Sequence, residues 1–183
     1  MLRALLLTGW TVSCLSSAAA AQIDVRSRST VFPGPYDAEV VRILDGDTVS
    51  VRVAIWPGLV AEYSVRIRRI DAPEILRPDC EAERIWGENA REVAERLWID
   101  LPERRRLRGE PEPRVRLRNV QYDVFSGRVV GDLQRWRSGR WVSFSRDMLE
   151  RNMAVEWEPG RPTVPWCLLA VEGGPEPVGE IED

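Results

Sequence analysis

Apolar and polar residues alternate through Val49-Ser50-Val51-Arg52-Val53, the two-residue period of a strand with one buried face. The run before it, Glu39 to Leu44, is rich in β-formers, and Asp45-Gly46 between the two predicts a hairpin turn. Trp56-Pro57-Gly58 marks the next turn. A third strand is predicted over Tyr63 to Ile70, with Val65 and Ile67 on one face and Arg66 and Arg68 on the other. Its alternation breaks at Arg69-Ile70, which marks a bulge or the strand end. After Pro78-Asp79 the period becomes helical over residues 81 to 99. Trp86, Ala90, Val93, Ala94 and Leu97 share a face opposite Arg84, Glu88, Arg91 and Glu95. The charged, Pro-rich residues 103 to 113 read as a loop. Two more strands are predicted at Arg114 to Asn119 and Gly127 to Leu133, and a short one at Trp141 to Phe144. A short helix is predicted over Ser145 to Met153 with Ser145 as its cap, and no third helix near the C-terminus. Five main strands in meander style, with one helix after the third and one after the fifth, predict an α+β, mainly β fold: a small closed barrel with packed helices.

The 183 residues suffice for one domain plus short extras. Residues 1 to 21 have the form of a cleaved signal peptide: Arg3, an apolar run from Ala4 to Leu15, and small residues from Ala18 to Ala21 before Gln22. The chain is therefore expected to be exported, periplasmic or secreted, with no membrane attachment after processing; lipidation at Cys14 is the weaker alternative. Residues 22 to 36, ending at Pro33-Gly34-Pro35, read as a flexible lead-in, and residues 169 to 183 as an acidic disordered tail. Processing removes Cys14 and leaves Cys80 and Cys167. An even pair in an exported chain favours a disulfide over the alternative of two buried thiols.

Histidine is absent, which excludes Ser-His-Asp and Cys-His catalysis and histidine-ligated zinc. Carboxylates are then the main ionised candidates for a general base near neutral pH. All 26 basic residues are arginine, so every cation is permanently charged and able to grip phosphate through two N–H groups. The net charge of −3 offers no global attraction for a polyanion, so any phosphate site must rest on a local patch. Arg104-Arg105-Arg106 shares its loop with Glu103, Glu110 and Glu112 and reads as a solvated charge cluster.

Two acidic motifs stand out. Asp45-Gly46-Asp47-Thr48 places two carboxylates at a strand mouth, and Asp71-Ala72-Pro73-Glu74 places two more on a loop stiffened by proline. Each alone is weak, because Asp-Gly turns are common. Together with strand arginines they supply what phosphodiester hydrolysis needs: oxygen ligands for a cation, a carboxylate to manage water, and donors for the charge that builds on phosphate.

Three ordered stretches resemble the staphylococcal-nuclease-like (thermonuclease) family: Ile43 to Val49, Val65 to Glu74, and Asp123-Val124-Phe125-Ser126-Gly127-Arg128. Cys80-x-x-Glu83 with Gly87 and Ala90, and the closing Pro165-Trp166-Cys167, look like the exported bacterial members. The resemblance spans about residues 37 to 168 and implies a five-stranded OB-type barrel. It implies calcium held by Asp47, Asp71 and the backbone carbonyl of Ala72, with Asp45 as a turn-former supporting them. Glu74 would accept a proton from, or orient, the attacking water, and Arg66 and Arg128 would bind the phosphate. Phe125 and Trp157 would lie against a nucleotide, though Phe125 replaces the tyrosine common in the family and Ser126 is an insertion in that motif. The implied activity is calcium-dependent cleavage of DNA and RNA, single strands favoured, leaving 3′-phosphate ends, by a protein expected to be a monomer. Two alternatives stay open: a non-catalytic module that binds nucleic acid or protein on the same barrel, and a phosphodiesterase for small nucleotides. Glu74 has an ordinary pKa of about 4.3, a weak base unless its surroundings raise it.

Overall fold

A computed structural model of the chain describes residues 30 to 99, 115 to 125 and 127 to 171. The residues read as a signal peptide, the first part of the segment read as a lead-in, the stretch with Arg104 to Arg106 read as a charge cluster, Ser126 and the residues beyond 171 read as a tail lie outside the described residues.

Strands β1 (Tyr36–Ile43), β2 (Thr48–Trp56) and β3 (Leu59–Ile67) form an antiparallel meander, as the alternation predicts. A two-residue strand β4 (Ile70–Asp71) precedes helix α1 (Glu81–Trp98). Strand β5 (Val115–Tyr122) then returns to the far side of β1, where Ala38 faces Val115, rather than continuing the meander at β3. Strand β6 (Arg128–Arg137) pairs antiparallel with β5 and closes the sheet by running parallel to β3, with Val65 opposite Val129. The order β3-β2-β1-β5-β6 and back to β3 is a closed five-stranded mixed barrel of OB type, mainly β with a few helices. Strand β7 (Arg140–Ser143) extends it beyond β6, and β8 (Val155–Glu156) pairs with β4.

The inward positions are those the two-residue period selects. Val49, Val51, Val53, Val65, Ile67, Leu117, Val129 and Leu133 are buried together, and α1 closes over them with Ala90, Val93, Ala94 and Trp98. Each such aliphatic side chain contributes about 1.5–3 kcal/mol relative to exposure. Trp98 and Trp86 are packing residues: Trp98 lies on Phe144 and Trp86 meets Trp166 edge-on at 5.0 Å. Cys80 and Cys167 form the expected disulfide, with Cα atoms 6.0 Å apart and a sequence separation of 87. On the chain-entropy account a loop of that length is worth up to about 4–5 kcal/mol. Among the described residues no helix is long and apolar enough to cross a membrane.

Several predicted boundaries change. β3 ends at Ile67, because Arg69 turns into the left-handed region (φ 66°) and releases Ile70-Asp71 to pair with Val155-Glu156. The second helix, α2 (Phe144–Leu149), begins a residue early: Phe144 is wholly buried in its first turn, and Ser145 is not the cap. Ser143 takes the cap position without a capping bond and instead meets the Ser145 hydroxyl at 2.7 Å. A third helix, α3 (Trp166–Val171), is present where none was predicted, and the segment read as a tail from residue 169 begins inside it. The lead-in reading also reaches too far. Phe32 exchanges backbone hydrogen bonds with Val120 at 2.8 Å, and Asn119 donates to the Pro33 carbonyl. Polar composition and prolines gave no sign of this pairing, because it is supplied by a bulged strand far along the chain.

Candidate active site

The two acidic motifs meet because two glycines permit close packing. A Cβ on Gly46 would lie 2.6 Å from Ala72 Cβ and 3.0 Å from Ala90 Cβ, so only glycine lets the β1–β2 turn rest on both the Ala72 loop and α1. A Cβ on Gly87 would lie 2.7 Å from the Pro73 carbonyl oxygen, so α1 lies directly against the loop that carries Glu74. Asp45 shapes the turn by accepting the backbone N–H of Asp47 at 3.0 Å. Asp47 is 5% exposed. Its Oδ1 accepts the Thr48 hydroxyl at 2.9 Å, and its Oδ2 accepts the Ala72 N–H at 2.8 Å and pairs with Arg66. The other arm of Arg66 reaches Asp71 Oδ1 at 2.7 Å. Asp71 Oδ2 accepts the Trp166 indole N–H at 3.0 Å. Arg66 therefore bridges two carboxylates and is itself largely enclosed, so solvent and salt screen both pairs less than exposed ones.

Closure of the barrel brings in the second arginine. The parallel register sets Ser64 opposite Arg128 and Arg66 opposite Val130, so both arginines lie on the outward face of the β3–β6 seam. Arg128 pairs with Asp123, and its guanidinium lies 5.0 Å from the centre of the exposed Phe125 ring. Asp47, Arg66, Glu74, Phe125, Arg128 and Trp157 line one cleft of about 690 Å³. Asp45 and Asp71 do not line it; Asp71 touches it through Arg66. Arg68, Arg69 and Arg77 also face this cleft, giving five arginines against three carboxylates (Asp47, Glu74 and Asp123) in a chain that is acidic overall. A second, apolar cavity of about 300 Å³ at Tyr36, Tyr63 and Tyr122 contains none of the candidate residues.

Burial raises the pKa of Glu74 above the usual carboxylate value, and the nearby negative charge of Asp45 raises it further. Arg66 opposes the rise, while Asp71 and Glu83 add to it. Burial also raises Asp45, against the pull of Arg66, its hydrogen bonds with Thr48, and Arg128. Glu74 is thus shifted in the direction that makes a carboxylate a better base.

The donor set suits a hard cation. Asp47, Asp71 and the Ala72 carbonyl offer only oxygen, the ligand type calcium takes, with remaining positions open to water and phosphate oxygens. Arg66 holds the charge between Asp47 and Asp71, so a cation there would take over the partners of its guanidinium. Among the described residues, the one cluster of three acid or cysteine ligand atoms within 4.8 Å is Cys80, Glu83 and Cys167, and its sulfurs are spent in the disulfide.

Sequence reasoning gave no role to several residues that the site uses. Thr48 and Asp123 hold Asp47 and Arg128. Arg68, placed by the alternation on the same face as Arg66, reaches Gln121 at 2.7 Å, the Asn119 carbonyl at 2.6 Å and Asp132 at 3.7 Å across the barrel seam. Glu83 and Trp166 stood in recognisable motifs. Glu83 accepts the nearby Asp79 and Glu74 backbone N–H groups from the first turn of α1, a capping arrangement the sequence pattern could have suggested, whereas the Asp71 partner of Trp166 lies 95 residues away and no local pattern names it. No family model and no curated protein matches this chain.

Proposed function

We propose that this chain is a staphylococcal-nuclease-like enzyme, a calcium-dependent hydrolase that cuts phosphodiester bonds in DNA and RNA and leaves 3′-phosphate ends. The observation that carries the reading is the shared cleft of Arg66, Glu74 and Arg128, with Asp47 and Asp71 joined to it by Arg66. Its donors are guanidinium groups, which hold phosphate in any sequence, and Phe125 and Trp157 present ring faces on which any base can stack. The disulfide supports an exported protein, periplasmic or secreted.

In this mechanism Arg66 and Arg128 bind the phosphate and gain strength as charge builds on its non-bridging oxygens. Glu74 takes a proton from water as the water oxygen bonds to phosphorus. The bond from phosphorus to the 5′-oxygen breaks, and that oxygen leaves with the electron pair and takes a proton from solvent. One product carries a 3′-phosphate and the other a 5′-hydroxyl. Calcium held by Asp47, Asp71 and the Ala72 carbonyl would supply Lewis-acid polarisation of the phosphoryl oxygen. Asp45 keeps Asp47 in place through the turn.

The test is cleavage of single-stranded DNA and of RNA by the full chain with calcium, followed by analysis of the product ends. Loss of activity with a chelator and 3′-phosphate ends are expected. Cleavage indifferent to chelation would remove calcium from the reading, and binding without cleavage would favour a non-catalytic module. That second reading draws on the pairing of Arg66 and Arg128 with carboxylates, which leaves both arginines already neutralised.

A further inference from the structure

The disulfide sits at the root of two contact paths, one ending on the backbone of Glu74 and the other on the Asp71 carboxylate. On one side Cys80 occupies the cap position of α1, and Glu83 follows in the first turn, 4% exposed. The Glu83 carboxylate accepts the backbone N–H of Glu74 at 3.2 Å through Oε1 and that of Asp79 at 2.7 Å through Oε2. One buried carboxylate thereby ties both ends of the loop from 74 to 79, and with it the backbone that carries the Glu74 side chain. On the other side Cys167 lies in α3, next to Trp166. The Trp166 indole is buried, meets Trp86 of α1 edge-on, and donates its N–H to Asp71. The Glu83 carboxylate also lies 3.9 Å from Cys167 Sγ, so the two paths touch at the disulfide itself.

α3 is six residues long, too short to persist as a helix on its own, so its position depends on what holds it to α1. Both cysteines are half-buried rather than enclosed. The barrel core, by contrast, does not include either cysteine.

We infer that Glu83 and Trp166 are positioning residues for Glu74 and Asp71, and that the Cys80–Cys167 disulfide makes their action depend on oxidation. The chain is competent when the disulfide is formed and loses activity when a dithiol reduces it, while the barrel stays folded. Reduction runs through thiolate attack on one sulfur, a mixed disulfide, and attack by the second reagent thiol. It yields two cysteine thiols and the oxidised cyclic reagent, with two electrons and two protons passed to the protein. The reverse exchange, with a disulfide-bearing oxidant, restores the site. A hydrolase built this way would be inactive in a reducing compartment and active after export. The activity part of this inference and the calcium readout for Trp166 rest on the proposed function; the positioning read by hydrogen exchange does not.

The test compares the full chain oxidised and after dithiothreitol, by hydrolysis of single-stranded DNA with calcium and by amide and indole hydrogen exchange. Reduction is expected to lower kcat at least about tenfold with a smaller change in KM, reversibly on reoxidation. The Glu74 and Asp79 amides and the Trp166 indole N–H should exchange at least about tenfold faster, while Val65 and Val129 in the barrel keep their protection. Unchanged exchange at the first three groups overturns the inference, as does equal loss of protection in the barrel, which would make the disulfide a general stabiliser. An oxidised chain that cleaves nothing defeats the proposed function, and the exchange comparison still decides the positioning. With the disulfide intact, Glu83→Gln should lower kcat more than it raises KM and speed exchange at Glu74 or Asp79; no change in either overturns the role of Glu83. Trp166→Phe keeps an aromatic ring in place and should reduce the calcium-induced rise in Tm; an undiminished rise overturns the role of Trp166.

Discussion

Asp47 Oδ2 accepts the backbone N–H of Ala72 at 2.8 Å, across 25 residues of sequence. That bond joins the acidic turn before β2 to the acidic loop after β4, and it fixes the Ala72 peptide beside both candidate cation ligands. Gly46 and Gly87 make the approach sterically open, and Arg66 neutralises the two carboxylates that it brings near each other.

Glu74→Gln keeps the size of the side chain and removes the proposed base. It is expected to lower kcat by roughly 10²–10⁴-fold while nucleotide affinity changes little. Steady-state kinetics beside equilibrium binding of a nucleotide distinguishes this from a structural role; weaker binding with kcat intact would take Glu74 out of the chemistry.

The raised pKa of Glu74 has two measurable consequences. In the metal-free chain, its carboxyl resonance should titrate with a midpoint above the ordinary glutamate value. Asp45→Asn, which keeps an oxygen for the Asp47 N–H, should move that midpoint down by removing one of its causes. A carboxyl whose folded pKa is raised favours the folded state below its unfolded pKa, and that contribution is lost as pH rises through the folded pKa. Glu74→Gln should therefore raise Tm relative to the parent near neutral pH but not below about pH 4.

Arg66→Lys and Arg128→Lys retain charge but lose the forked donors. Each is expected to cost roughly 10²–10³-fold in kcat, because donors aimed at developing charge act mainly in the transition state. Rates that fall only through KM would assign the arginines to ground-state binding alone.

Calcium should raise Tm in proportion to the logarithm of its concentration above Kd. Asp47→Asn should weaken or abolish that rise, although the site loses repulsion between acids. Differential scanning calorimetry with and without calcium decides it, and an equal rise in both proteins would place the ion elsewhere.

Gly87→Ala should destabilise the fold by about 1–3 kcal/mol, since the new methyl meets a backbone carbonyl that cannot rotate away. Because that carbonyl belongs to Pro73, the same substitution should also lower kcat through the Glu74 loop. A chain with unchanged Tm and kcat would show that α1 does not press on the loop.

The sequence by itself determined the local elements. The Val49-Val51-Val53 alternation and the Trp86 to Leu97 helical face survive into the structure because burial of one face follows directly from residue spacing. It also marked the acids and arginines of the cleft and the cysteine pair. Only the tertiary structure decided which elements lie side by side. β5 returns to β1 and β6 closes onto β3, because closing the barrel satisfies the edge strands, and no local pattern encodes that order. The same closure sets Arg128 beside the β3 seam, and the Asp71–Trp166 bond spans 95 residues. Such contacts depend on the shape of the whole chain, so the sequence named the candidate carboxylates and the fold decided what holds them.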